Sequence, residues 1–123
     1  MRRLTRRSLL VAFAGMVAGQ ASASARSRKQ NTQIVDITVE RFSFTPSEFR
    51  VKAGVPVEIR LRSDDTDHGF RILGTDINVR IPKRGKGVAT VTFQPPSPGR
   101  YVFECSKLCG AGHSFMRGTL IAE

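Results

Sequence analysis

Apolar and polar positions alternate along most of the chain from Ile34 onward. Val35, Ile37 and Val39 are interleaved with Asp36, Thr38 and Glu40. Val57, Ile59 and Leu61 alternate with Glu58, Arg60 and Arg62, and Ala89, Val91 and Phe93 with Thr90, Thr92 and Gln94. A period of two puts one face of each segment on a core and the other in water, which predicts strands. Shorter strands are predicted at Phe49 to Lys52, Phe70 to Leu73, Val79 to Ile81, Tyr101 to Glu104 and Thr119 to Ile121. Turn residues fall between them: Pro46, Ala53-Gly54, Gly74, Pro82, Gly85 and the run Pro95-Pro96-Ser97-Pro98-Gly99. Many short strands at turn-spaced intervals predict an all-β domain, an antiparallel sandwich or barrel. No long helical period, internal repeat or low-complexity tract interrupts the pattern.

The pattern changes at the N-terminus. Arg2, Arg3, Arg6 and Arg7 precede a short apolar run from Leu9 to Ala18, and Ala21-Ser22-Ala23 and Ala23-Ser24-Ala25 offer small-residue cleavage sites. These features predict an export signal over residues 1–25, with a twin-arginine-like start at Thr5-Arg6-Arg7-Ser8-Leu9-Leu10. The run is shorter than the roughly 20 residues a spanning helix needs, so no stable membrane insertion is expected after cleavage. A polar, basic leader follows over 26–33, then one domain over 34–123. The expected location is exported, in the periplasm.

Charge adds little. The chain carries 20 Lys and Arg against 10 acids, for a net charge of +10. Four of those arginines lie in the signal, so the excess beyond it is smaller and spread out. The one cluster, Lys83-Arg84-Gly85-Lys86, reads as a solvated loop and not as a nucleic-acid surface.

The chemistry sits in one window, Cys105-Ser106-Lys107-Leu108-Cys109-Gly110-Ala111-Gly112-His113-Ser114-Phe115-Met116. It holds both cysteines, one of the two histidines and the only methionine beyond the N-terminal segment. The other histidine is His68. Thiolate, imidazole and thioether form a donor set that suits copper. Cys105, Cys109 and His113 are four apart, as on one helix face, but Gly110 and Gly112 oppose a helix. A loop after the strand ending near Glu104 is expected instead, with His68 arriving from another strand end. Four readings of the donors remain open: a Cys105–Cys109 disulfide, a Cys2His2 zinc site, a mononuclear blue-copper site on His68, Cys109, His113 and Met116, and a dinuclear copper centre. The last uses every donor, with two bridging thiolates, a terminal imidazole for each ion, weak Met116 and one backbone carbonyl.

The motif Cys-x-x-x-Cys-Gly-x-x-His-x-x-Met, preceded by Ser63-Asp64-Asp65-Thr66-Asp67-His68-Gly69-Phe70, resembles the copper-A domain of cytochrome c oxidase subunit II and of nitrous oxide reductase. Phe44-Thr45-Pro46, Val51-Lys52-Ala53-Gly54-Val55-Pro56-Val57 and Pro98-Gly99-Arg100-Tyr101 are similar to the family's strands. The resemblance implies a cupredoxin-like Greek-key β-sandwich and a mixed-valence centre of two copper ions. It implies that Cys105 and Cys109 bridge, His68 and His113 are terminal ligands, Met116 is axial, and Lys107 gives its backbone carbonyl.

Lys107 also departs from the family, which usually carries a glutamate there that helps bind magnesium at the contact with the catalytic subunit. The chain has no tryptophan, the family's aromatic entry point for cytochrome c, and its positive charge suits a basic cytochrome c poorly. The expected function is one-electron transfer by a small standalone copper protein, not an enzyme by itself. Its redox partner would be an oxidase, a reductase or a cytochrome. Copper delivery or storage for the assembly of another enzyme is the alternative.

Overall fold

In a computed structural model the chain is described over residues 32–123, together with Gly15. The expected signal, apart from Gly15, and nearly all of the leader lie outside the described residues. Nine strands follow: β1 (Gln33–Glu40), β2 (Ser43–Thr45), β3 (Glu48–Val51), β4 (Val57–Ser63), β5 (His68–Ile72), β6 (Asn78–Ile81), β7 (Ala89–Phe93), β8 (Gly99–Glu104) and β9 (Arg117–Ala122). Among the described residues a single 3-10 turn, His113–Phe115, interrupts the β structure just before β9.

The strands form two sheets, ordered β2-β1-β4-β7 and β3-β9-β8-β5-β6. The alternation read from sequence is the inward face of each sheet. Ile37 and Val39 of β1, Val57, Ile59 and Leu61 of β4, and Val91 and Phe93 of β7 are buried. Phe70, Ile72, Phe103 and Leu120 face them from the other sheet. The centre is aromatic: Phe103 meets Phe44 edge-on at 5.1 Å between ring centroids, and Phe70 lies 5.2 Å from Phe103. Such pairs favour offset or edge contacts because the ring face is electron-rich and its edge is not.

The antiparallel expectation needs correcting in two places. β1 runs parallel to β4, and β3 runs parallel to β9. Alternation reports which face is buried but carries nothing about the direction of a partner strand, so it could not separate the two. β2 was also missed by the alternation, although Phe44-Thr45-Pro46 resembled a strand of the family. It is three residues long and lies among turn residues, and it is fixed by pairing with β1 and by the buried ring of Phe44.

These pairings set up one end of the sandwich. β1 and β4 arrive there together, with Val39 opposite Ser63, and Asp64 donates its N–H to the Val39 carbonyl at 2.9 Å. β8 ends at the same pole at Glu104, paired with Arg71 and Arg117. The segment from Cys105 to Met116 closes on itself there through Cys105 N–H to the Met116 carbonyl at 3.1 Å.

Candidate metal centre

All six residues singled out in the sequence meet at this pole. His68 opens β5 with its ring fully buried. Cys105 follows β8 directly, and Cys109, His113 and Met116 come from the loop and turn that lead into β9. The two sulfurs are 3.8 Å apart, and both thiols are free. His68 Nδ1 lies 4.0 Å from Cys105 Sγ, and His113 Nδ1 lies 3.7 Å from Cys109 Sγ. Met116 Sδ is 3.8 Å from Cys109 Sγ. The Lys107 carbonyl oxygen is 3.1 Å from Cys105 Sγ, while the Lys107 side chain turns away to Asp67 at 3.2 Å. Donor atoms of His68, Cys105 and Cys109 lie within 4.8 Å of one another.

This donor set fits a bridged metal. A first-row metal–thiolate bond is about 2.3 Å, so sulfurs 3.8 Å apart can both bind the same ion. Each imidazole approaches a different sulfur through Nδ1. The thioether and the carbonyl oxygen add one weak donor beside each sulfur.

The surroundings hold these donors in place. His68 Nε2 lies 2.7 Å from Asp65 Oδ1. With the Nε2 proton donated to that carboxylate, the Nδ1 lone pair is left facing the sulfurs. Asp65 is itself fixed: its Oδ2 accepts the Arg41 N–H at 2.8 Å, and its own N–H reaches buried Ser63 Oγ at 3.2 Å. Burial pushes the Asp65 carboxyl up, but the hydrogen bonds from Arg41, His68 and Thr66 outweigh this and hold it below its ordinary value. Burial, followed by the neighbouring Cys105 thiol, pushes Cys109 up to about 11. Without a metal, this thiol is therefore protonated at neutral pH, and binding a metal must displace its proton.

Several contributors were not legible in the sequence. Arg41 Nε donates to the Cys109 carbonyl at 2.9 Å, and the Phe42 ring lies against Gly110 and Gly112. A Cβ on Gly112 would come 2.5 Å from Phe42 Cγ, so glycine there permits the contact. Nothing in the spacing links the β1–β2 turn to a loop 68 residues away. Asp65 had a signal, its place in the run Ser63-Asp64-Asp65-Thr66-Asp67, but three aspartates shared it.

The sequence pattern of the cupredoxin-like domain family matches residues 8–122. The chain belongs to the cupredoxin-like family. Within it, this cupredoxin is homologous to the copper-A domains of cytochrome c oxidase subunit II and nitrous-oxide reductase. It is 33% identical over 93 residues to cytochrome c oxidase subunit 2 of Thermus thermophilus, a match covering 76% of this chain and 67% of that protein. It is also 33% identical over 93 residues to the nitrous-oxide reductase of Ralstonia nicotianae, over 72% of this chain but only 14% of the reductase. Among solved structures, a chain of a heme-copper terminal oxidase dimer superposes with a TM-score of 0.66 at 27% identity, covering 78% of this cupredoxin and 68% of that chain. Copper is accordingly the metal of this class, and the side chains described above are its candidate ligands. Among the described residues of this cupredoxin, no helix is long and apolar enough to cross a membrane.

Proposed function

We propose that this cupredoxin is an exported carrier of single electrons. In this reading the thiolates of Cys105 and Cys109 would together hold two copper ions. His68 and His113 would each add an Nδ1 donor, and Met116 Sδ and the Lys107 carbonyl oxygen would add weaker ones. The supporting observation is the arrangement of the sulfurs, 3.8 Å apart with a different imidazole on each. A mononuclear site needs only one of the thiols and would leave Cys105 as a buried free thiol. When bound, such a copper pair shares one electron over two metals and two sulfurs, so electrons enter and leave with little ligand movement.

The chain's own residues account for the rest. Asp65 and buried packing fix the His68 ring, and Arg41 and Phe42 restrain the loop that carries Cys109. His68, Cys105, Cys109 and Met116 are all buried, which keeps water from the sulfurs and opposes ligand exchange. Both histidines of the chain belong to the centre, so neither is left as an acid or base for chemistry on a substrate. The partner in this reading is an oxidase, a reductase or a cytochrome, met in the periplasm.

Copper analysis with paramagnetic resonance tests the centre. Two coppers per chain, with one unpaired electron spread over both, is the expected result. One copper per chain with a titratable thiol would overturn it in favour of a blue-copper site. Copper delivery is separated from electron transfer by stability under redox cycling. The carrier keeps its copper through repeated cycles with a chelator present, whereas a delivery protein loses it.

A further inference from the structure

The carboxylates next to the candidate ligands are paired differently from those elsewhere. Glu104, directly before Cys105, takes both Arg71 and Arg117; Arg71 Nε donates to Oε1 at 2.7 Å and Arg117 Nε to Oε2 at 3.2 Å. Asp67, directly before His68, takes both Arg80 at 2.5 Å and Lys107 at 3.2 Å on a single oxygen. Among the described residues, the other Arg–carboxylate pairs are one to one: Arg50 with Glu123, Arg60 with Glu58 and Arg62 with Asp64. In those pairs the acid side chains are 31–60% exposed. At the metal pole the acids are recessed: Glu104 and Asp67 side chains are 12% and 22% exposed, while their four cationic partners are 43–69% exposed.

Strand register joins these groups into one surface. Arg117, Glu104 and Arg71 are direct cross-strand neighbours on β9, β8 and β5, and Arg80 of β6 lies opposite Gly69, two residues before Arg71. Residues two apart share a face, so Arg71, Arg80 and Arg117 stand on the outer face of the five-stranded sheet. The loop crosses that face at Gly69, where a Cβ would come 2.8 Å from Lys107 N, and this sets Lys107 beside Arg80. Lys83 and Lys86 extend the surface from the β6–β7 turn, in a cleft they share with Asp67 and Arg80. Leu108, next to Lys107 in the chain, is 79% exposed.

We infer that this face, formed by Arg71, Arg80, Lys107 and Arg117 with exposed Leu108 following Lys107, is the docking surface for a partner protein with clustered carboxylates. The inference deepens the proposed function by giving the class of partner. A partner meets two outward charges for each recessed carboxylate, directly over the segments that carry Cys105, Cys109 and His68. Complementary charge there speeds encounter and sets orientation. A basic partner is repelled at the same place.

The test is a nuclear magnetic resonance titration of the reduced, metal-free exported chain with decaglutamate, with decalysine as control. This binding readout does not depend on copper content, so its failure and failure of the copper reading are distinguishable. Decaglutamate should shift the signals of Arg71, Arg80, Lys107, Leu108 and Arg117, with affinity falling at least about tenfold between 20 and 200 mM salt. Arg80→Gln with Arg117→Gln should weaken binding about tenfold or more, and Arg50→Gln with Arg60→Gln should leave it within about twofold. The amide spectrum of each variant reports whether it remains folded. Shifts spread over Arg50, Arg60 and Arg62, or equal losses in both double variants, would overturn the inference. So would binding to phosphatidylglycerol vesicles that excess decaglutamate does not displace, because the face would then belong to a membrane.

Discussion

Asp65 decides which nitrogen of His68 faces the sulfurs. Removing a carboxylate that orients a ligand histidine typically lowers metal affinity 10–100-fold. Asp65→Ala should therefore bind copper about 10–100 times more weakly in a chelator competition. Asp64→Ala should stay close to the unaltered protein, since the Asp64 side chain makes only an exposed contact of 3.7 Å with Arg62 among the described residues, and alanine keeps the backbone N–H to Val39. Equal losses at both positions would show that the run acts as one turn and not through Asp65. Cys109 has its own signature. Its thiol is raised from an ordinary 9.0 to about 11 in the folded state. The unfolded chain ionises first, so the metal-free protein should lose stability as pH rises from about 9 towards 11, with no contribution from this thiol below that window. Denaturant melts across that range check the sign. The donors themselves were legible, because sulfur and imidazole are rare in the chain and crowd into one window. The choice among three aspartates was not, since it depends on which carboxylate the Ser63 turn aims at the ring.

Among the elements, the loop between β8 and β9 depends on two neighbours distant in sequence. β5 supports it through Gly69, where an added methyl would collide with Ser106 and Lys107. Gly69→Ala should cost about 1–3 kcal/mol as an overpacked contact and should also weaken copper binding. Thermal melting of the metal-free protein checks the first effect, and an unchanged midpoint would mean the loop can step aside. The β1–β2 turn supports the loop from the other sheet through Arg41 and Phe42. Arg41→Ala should speed copper loss to a chelator while leaving the fold intact, because it frees the Cys109 carbonyl but keeps the backbone N–H that holds Asp65. Eight of the nine strands could be read from alternation and turn residues because each buries one regular face. β2 and the parallel pairs could not, since a three-residue strand has no period and direction is settled by tertiary partners.

The whole molecule depends on a core shared by both sheets, and Phe103 is at its middle. Its ring touches Phe44, Phe49 and Phe70. Phe103→Ala should cost about 3–5 kcal/mol, a large share of the 5–15 kcal/mol typical of a domain. Denaturant unfolding measures it. Since Phe103 lies two residues before Cys105, the copper spectrum should also change; a destabilised variant with an unaltered spectrum would show that the site is insulated from the core. The sandwich was foreseen from strand number and spacing. Which strands crossed from sheet to sheet was not, because that depends on contacts between segments far apart in the chain.

β1 leaves the metal pole at one end and reaches Gln33 at the other. Gln33 exchanges hydrogen bonds with Lys52, and Glu123 is held between Val51 and Ala53. Gln33 and Glu123 thus both lie beside the segment around Lys52, about 25 Å from the thiols at the rise of an extended strand. Any attachment made through either of them, whether to an electrode, a bead or a fused neighbour, points the sulfurs away from its support. A surface-bound film of this protein should exchange electrons with dissolved partners more readily than with the electrode beneath it.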